Sequence, residues 1–252
     1  MTQAPRYRAL FSTDWNECLA PCGPFDGLAH AFPDLRAELE ALFRAYTGNR
    51  LTLEEAARQV AARLPAPMRA AQMDAYLAAC FRTYTGVPEL MAWCADQGVL
   101  CMVNTTGMTG YFQRALALGL VPPLPVLSAH PLVRFPAAPT DPRQWLPLTA
   151  TADKGRHTEQ VAREHGIPFR RVVVMGDSGG DGPHMAWGAA RGALLVGSMT
   201  KPSLENACRA AGIALHHRFG VTYAEGQPLD RQRELTVDYM GLTGLLQETL
   251  ER

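Results

Sequence analysis

Residues 172–185 read VVVMGDSGGDGPHM. Three valines and a methionine with no polar break form the pattern of a strand buried on both faces, as in a parallel sheet. The run ends in a glycine-rich turn that carries Asp177 and Asp181. Glycine lets the backbone turn tightly. Two carboxylates four residues apart in such a turn suit a hard cation, which takes oxygen ligands. A plain Gly/Asp turn after a buried strand is the competing reading.

Outward from this stretch, strand and helix patterns alternate. Strands are expected at 6–13, 99–104, within 124–133, at 171–177, 193–197 and 213–218. Helices are expected at 108–120, 153–166, 183–192 and 203–212. The proline-rich stretch 132–150 reads as loop or irregular hairpin. Such alternation implies a doubly wound, Rossmann-like α/β core: a parallel sheet covered by helices on both faces. A helical block interrupts it after the first strand. Leu35, Leu39, Leu42 and Phe43 have helical spacing, Thr52 reads as a helix cap, and further helices are expected at 66–86 and 87–98. The expected organisation is a core of residues 1–19 and 96–252 with an inserted α-helical cap, residues 20–95.

Composition narrows the function classes. The chain has 252 residues, 47% hydrophobic and 19% charged, which suits a globular protein. Lys plus Arg equals Asp plus Glu, and no charge block marks a nucleic-acid surface. No apolar run approaches a membrane span, and the start, MTQAPRYRALF, lacks the apolar core of a signal peptide. The expectation is a cytoplasmic protein without nucleic-acid or membrane partners. Of the six cysteines only Cys18 and Cys22 are close, and no second pair completes a zinc site, so reduced thiols are expected. Lysine occurs twice, at Lys154 and Lys201.

In open α/β sheets, ligands bind beyond the carboxyl ends of the strands. Four features fall there. Asp14 follows the first strand in LFSTDWNECL (10–19), Thr105 and Thr106 follow VLCMVN, Lys154 opens a helix, and Asp177 and Asp181 close the valine run. A hydroxyl with exposed N–H groups can hold a phosphate oxygen, although a helix cap explains the threonines equally well. A lysine at a helix start is most often solvated.

The order of these pieces resembles the haloacid dehalogenase-like hydrolase superfamily, over residues 6 to about 220. TDWNECL is similar to its first motif, D-x-D-x-T-L, with Asp14 at the nucleophile, Asn16 at the second acid, Cys18 at the threonine and Leu19 at the apolar position. VNTTG is similar to the second motif, with Thr105 the best match and Asn104 or Thr106 the fallback. Lys154 in DKG matches the third, and Asp177 and Asp181 match the fourth. A cap between the first two motifs, and the entry TTGMTGYFQRAL, resemble the phosphoserine-phosphatase-like branch.

The resemblance implies phosphoryl transfer to Asp14 and then hydrolysis. It implies Mg²⁺ held by Asp14, the Asn16 carbonyl and Asp177, with Asp181 orienting a bound water. Lys154 is expected to offset phosphate charge. Thr105, Thr106 and Gly107 are expected to hold phosphate oxygens. Asn16 departs from the pattern, because an amide cannot donate and reclaim a proton. Three readings remain open: substrates with good leaving groups, such as acyl or aryl phosphates; a substitute base, with Glu17 or a cap residue as candidates; or a catalytically weak protein that binds a phosphorylated ligand. An alternative register makes Ser12 the first position and Asp14 the second. A Schiff-base phosphonoacetaldehyde mechanism needs a cap lysine, and residues 20–98 contain none. A haloacid dehalogenase needs no metal, which leaves Asp177 and Asp181 without a purpose. The expected substrate is a small phosphorylated metabolite. His30, Arg69, Arg82 and Tyr84 in the cap are expected to be surface groups, and Lys201, which matches no motif, is expected to matter less than Lys154.

Overall fold

The valine run becomes the strand β5 of the sheet. In the computed structural model, which describes residues 7–48 and 50–252, seven parallel strands lie in the order β4-β3-β2-β1-β5-β6-β7. They are β1 (Ala9–Thr13), β2 (Val99–Met108), β3 (Val126–His130), β4 (Gln144–Pro147), β5 (Val172–Gly176), β6 (Leu194–Thr200) and β7 (His217–Thr222). The first strand was expected from residue 6; that residue, and the rest of 1–6 in the expected core segment, lie outside the described residues. β1 is flanked by β2 and β5 in register Phe11↔Cys101 and Phe11↔Val173. From β1 the chain winds one way through β2 to β4 and the other through β5 to β7, so the order reverses beside β1.

Side chains alternate across the sheet, and each face has its own core. Phe11, Val103, Leu127, Val173 and Met175 pack on one side. Leu10, Met102, Val126, Val174 and Leu195 pack on the other. The helices α5 (Val87–Gln97), α6 (Thr109–Ala117), α7 (Asp153–Glu164), α8 (Gly182–Arg191), α9 (Pro202–Ala210), α10 (Arg231–Glu234) and α11 (Thr243–Glu251) belong to the same body, with α5 packed on β2 and α8 on β5 and β6.

Between β1 and α5 lie α1 (Asp26–Ala31), α2 (Arg36–Thr47), α3 (Leu53–Arg63) and α4 (Ala70–Cys80). The capping box of Thr52 and Glu55 starts α3, as the sequence suggests. α4 packs on α1 and α6, and α2 reaches the turn at 179–181.

Three expectations need correction. Residues 132–150 contain β4, a short parallel edge strand paired with β3 through Leu127↔Trp145. Its four residues, the last of them a proline, are too few to show a period. The helix expected to run to residue 86 ends at Cys80, because Phe81 turns extended and the Tyr84 N–H donates to the Leu19 carbonyl at 3.0 Å. Tyr84 is therefore buried rather than on the surface. It stacks on Tyr239 with centroids 5.6 Å apart, and its hydroxyl donates to Glu234 at 2.7 Å. Arg69 and Arg82 are exposed, and His30 is half-buried against Tyr76.

The Glu234 carboxylate also accepts from the Tyr223 hydroxyl at 2.7 Å and from Arg231 at 2.7 Å. Deleting one neutral donor from such a buried group is expected to cost about 1 kcal/mol. Tyr84→Phe should lower the urea unfolding midpoint accordingly, with an unchanged midpoint contradicting a structural role for the bond.

Candidate functional site

β1 delivers Asp14 to the carboxyl edge of the sheet, beside the switch in strand order. The Asp14 N–H continues the ladder to the Met175 carbonyl at 3.0 Å, and its side chain accepts from the Trp15 N–H at 2.6 Å. The chain then turns tightly: the N–H groups of Leu19 and Ala20 return to the Trp15 carbonyl. Glu17 takes φ +57° in this turn, a left-handed conformation that costs a residue with a Cβ about 1–2 kcal/mol. Its carboxylate is ion-paired to both Lys201 and Arg231.

β5 delivers the other two aspartates. Asp181 folds back over the strand end and accepts from the N–H groups of Asp177 at 3.0 Å and Ser178 at 3.3 Å. This return needs Gly176, where a Cβ would stand 2.4 Å from the Asp181 carboxyl carbon. One oxygen each of Asp14, Asp177 and Asp181 then lies within 4.8 Å of the others, and all three residues are buried.

Lys154, at the start of α7, is buried and bridges two of them. Its Nζ donates to Asp14 Oδ2 at 2.9 Å and to Asp181 Oδ1 at 2.5 Å. Lys201, just beyond β6, donates to Asp177 Oδ2 at 2.5 Å and pairs with Glu17. Lys201, expected to matter less than Lys154, stands in the same cluster of charges.

Burial sets the ionisation here. It pushes the Asp14 carboxyl up, with Lys154 opposing and Asp181 adding to the rise. It pushes Asp177 well above the usual carboxylate range, against Lys201 and with Asp181 and Asp14. For Glu17 burial also acts upward, but Lys201 and Arg231 outweigh it and the carboxyl titrates below its usual range. Burial alone would depress the Lys154 ammonium, yet Asp14 and Asp181 raise it. Four carboxylates, Asp14, Glu17, Asp177 and Asp181, thus meet two ammonium groups, while Arg231 is balanced by Glu234. With all four ionised, two negative charges stay unbalanced; one small divalent cation would offset them, lower the raised Asp14 and Asp177, and suit the purely oxygen donor set.

The threonines divide. The Thr105 hydroxyl donates to Asn16 Oδ1 at 3.2 Å and accepts from the Gly107 N–H at 3.1 Å. Thr106 lines the open side of the cleft with Asp14, Tyr46, Asp177 and Lys201, around about 290 Å³ of space. Asn104, the fallback match, is instead consumed inside the sheet, donating to Ser12, the Lys154 carbonyl and Thr158. Ser12 likewise bonds Thr158 at 2.8 Å within the core, so the register that begins at Ser12 puts its first position inside the sheet, away from the strand edge. Asn16 is held on both ends. Its Oδ1 faces Thr105, and its Nδ2 donates to the Cys22 carbonyl at 3.3 Å and reaches Cys22 Sγ at 3.5 Å. Gly107 is required beside it, since a Cβ there would sit 2.4 Å from Asn16 Oδ1.

The sequence reading missed the Lys201–Glu17–Arg231 arm. One signal was available: Lys201 follows a buried strand at the carboxyl edge, and it is one of only two lysines.

No family model matches the sequence, and no curated protein matches it. Solved structures do. A substrate-bound phosphoserine phosphatase superposes with a TM-score of 0.67 at 15% identity, over 94% of this chain and 98% of that one. A phosphoserine phosphatase with a phospho-aspartyl intermediate analogue gives 0.66 at 15%, over 95% and 99%. A HAD family hydrolase from Salmonella enterica serovar Typhi gives 0.61 at 13%, over 84% and 68%. Among the described residues no helix is long and apolar enough to cross a membrane. The seven-stranded parallel sheet, its strand order and these superpositions establish that the chain has the fold of the haloacid dehalogenase-like hydrolases, in the form seen in phosphoserine phosphatases.

Proposed function

We propose that the protein is a Mg²⁺-dependent phosphohydrolase acting on a small phosphorylated metabolite, through a phosphorylated Asp14. One observation carries this reading: three buried aspartates from two distant segments converge at a sheet edge, with a buried lysine between two of them.

Asp14, Asp177 and the Asn16 backbone carbonyl would hold Mg²⁺, with Asp181 orienting its water shell. Bound there, the cation would supply Lewis-acid charge neutralisation for the phosphoryl group. Asp14 attacks phosphorus, forming the Asp14–phosphate bond as the bond to the leaving oxygen breaks. Lys154 reduces the repulsion between the carboxylate and the incoming anion, and such fixed charges supply most of the catalysis in phosphoryl transfer. Thr106 holds a non-reacting oxygen, and Thr105 and the Gly107 N–H join it by exchanging their bonds to Asn16 and to each other. Water then cleaves the acyl phosphate and restores Asp14. Helices α1–α4 act as a cap: Tyr46 lines the cleft and comes within 2.8 Å of where a Cβ on Gly180 would stand.

Glu17 makes a poor proton donor here, because its two cations keep it ionised. Asn16 cannot protonate the leaving oxygen. The reading therefore favours leaving groups that depart as stable anions. Asn16 also favours the second reading, a phospho-ligand-binding protein with weak turnover. Acetyl phosphate hydrolysis with Mg²⁺ and with chelator separates the two. Turnover lost in chelator and in Asp14→Asn supports the enzyme, and tight phosphate binding without turnover supports the binder.

Asp177 gives a test that does not depend on activity. In the metal-free protein its folded pKa is raised, so its contribution to stability is present below the unfolded pKa of about 3.9 and is lost as pH rises towards the raised value. Asp177→Asn should therefore raise the metal-free melting temperature at neutral pH. It should also abolish the added stability that Mg²⁺ gives wild type, about 2.7 kcal/mol at a hundredfold excess over Kd. A Mg²⁺-dependent shift of wild-type size in this variant would remove Asp177 from the site.

A further inference from the structure

Three side chains of α2 line the aspartate cleft: Phe43, Tyr46 and Thr47. Phe43 carries no polar atom, and the Thr47 hydroxyl donates to the Phe43 carbonyl within the helix at 2.9 Å. Tyr46 is therefore the α2 residue with a polar side-chain atom to offer the cleft.

Packing fixes its ring. Tyr46 is 5% exposed and lies in a small apolar cluster with Leu53 and Ala56 of α3 and with Leu148, in the loop between β4 and α7. The hydroxyl ends against the turn that carries Asp177 and Asp181. A Cβ on Gly180 would stand 2.8 Å from Tyr46 Oη and 3.5 Å from its Cζ, so the close approach of the oxygen needs a glycine. If the ring served packing alone, the space over Gly180 could hold a methyl group in place of the hydroxyl.

The neighbours of the hydroxyl are the groups expected around a phosphate. It stands in hydrogen-bond relation with Thr106, and it lies in the field of Lys154, Asp14 and Asp181. Burial, the largest influence, pushes the phenol up, so it keeps its proton at neutral pH. A phenolic oxygen both donates and accepts, so it can accept from Thr106 and still donate into the cleft.

We propose that Tyr46 is a catalytic residue: its hydroxyl donates a hydrogen bond to a non-bridging oxygen of the phosphoryl group that Asp14 attacks, so the helical block completes the site. This rests on the phosphohydrolase reading for the position of the phosphate. No proton changes hands at the phenol. It is a neutral donor, fixed in advance by its packing, beside the cationic one at Lys154.

The test is a double-mutant cycle, read as kcat/KM on acetyl phosphate with Mg²⁺. Tyr46→Phe keeps the ring among Leu53, Ala56 and Leu148. It should lower kcat/KM by about 10- to 100-fold, the worth of one hydrogen bond to a charged oxygen. Gly180→Ala should cost a similar factor, because its methyl group displaces the hydroxyl. In the Tyr46→Phe background, Gly180→Ala should cost little more, since the nearest ring atom then lies at 3.5 Å, an ordinary contact. Two unrelated packing faults would multiply instead. The loss in Tyr46→Phe should be the same on p-nitrophenyl phosphate, because the non-bridging oxygens are common to both substrates. Wild-type kcat/KM in folded Tyr46→Phe, or factors that multiply in the double variant, would overturn the proposal. A loss that differs between the substrates would put the hydroxyl on the leaving oxygen and overturn it as well.

Calorimetry with inorganic phosphate and Mg²⁺ separates this proposal from the phosphohydrolase reading. Phosphate binding about 10-fold weaker in Tyr46→Phe, with no turnover by wild type, would keep the hydroxyl on the phosphate and reject hydrolysis alone. Asp14-dependent turnover that is unimpaired in Tyr46→Phe would reject the tyrosine alone. Neither turnover nor phosphate binding by wild type would reject both.

Discussion

Replacing Lys154 with alanine is expected to lower acetyl phosphate turnover by about 10³-fold, the upper range for losing one preorganised charge-stabilising group. The Lys154 ammonium touches both Asp14 and Asp181 and is 1% exposed. Without it two buried carboxylates lose their nearest cation. Asp14, already raised by burial, would rise further and hold a proton where it needs a free electron pair. Lys201→Ala should also be severe, because it strips Asp177 of its cation and leaves Glu17 with Arg231 alone. The two should differ in kind. Lys154→Ala should depress kcat with Mg²⁺ affinity largely retained, whereas Lys201→Ala should chiefly alter the Mg²⁺ dependence. Circular dichroism would confirm that both variants fold. Wild-type turnover in folded Lys154→Ala would remove the lysine from the chemistry.

Asn16→Asp is expected to raise hydrolysis of alkyl phosphate monoesters by about 10²-fold, the lower bound for general acid catalysis. The substitution keeps an oxygen where Asn16 Oδ1 accepts from Thr105, and sacrifices only the long contacts from Nδ2 to Cys22. The carboxyl would stand two residues after Asp14, beside Thr105, the position at which the proposed mechanism needs a protonated acid. Aryl and acyl phosphates should gain much less, since their oxygens depart without a proton. Parallel rates on ethyl phosphate and p-nitrophenyl phosphate check this. A uniform gain on both would indicate a change in binding, and brisk ethyl phosphate turnover by wild type would show that another residue is the acid.

What could be read from the sequence was whatever is local. β5 and its turn were legible because an unbroken valine run followed by glycines leaves few alternatives. Asp14 and Lys154 were legible only through the order of motifs, since a lone carboxylate or lysine has many ordinary explanations. β4 was not legible, because its pairing comes from its neighbour β3 rather than from its own pattern. Tyr84 was misread because the last turns before it look helical, while a single bond to the Leu19 carbonyl draws the chain into the core. Lys201 was ranked below Lys154 because it matches no motif, and β6 was expected to end at Gly197. It runs on to Thr200 and sets the lysine at the strand end. The Glu17–Arg231 pair joins residues 214 positions apart, a relation that only the folded chain creates.

The placement of the two lysines has a practical side. Their side chains are 1% and 14% exposed, and every other basic side chain apart from histidine is arginine. An amine-directed reagent therefore finds no ε-amine on the open surface of the described protein. Acylation at Lys201, followed by peptide mass, becomes a reporter of how often the cleft admits a small molecule, and a ligand that closes the cleft should protect it. Coupling chemistries that rely on surface lysines will attach at the α-amine or damage the centre itself, so a tether or dye is better placed at Cys80, the one exposed thiol among the described residues.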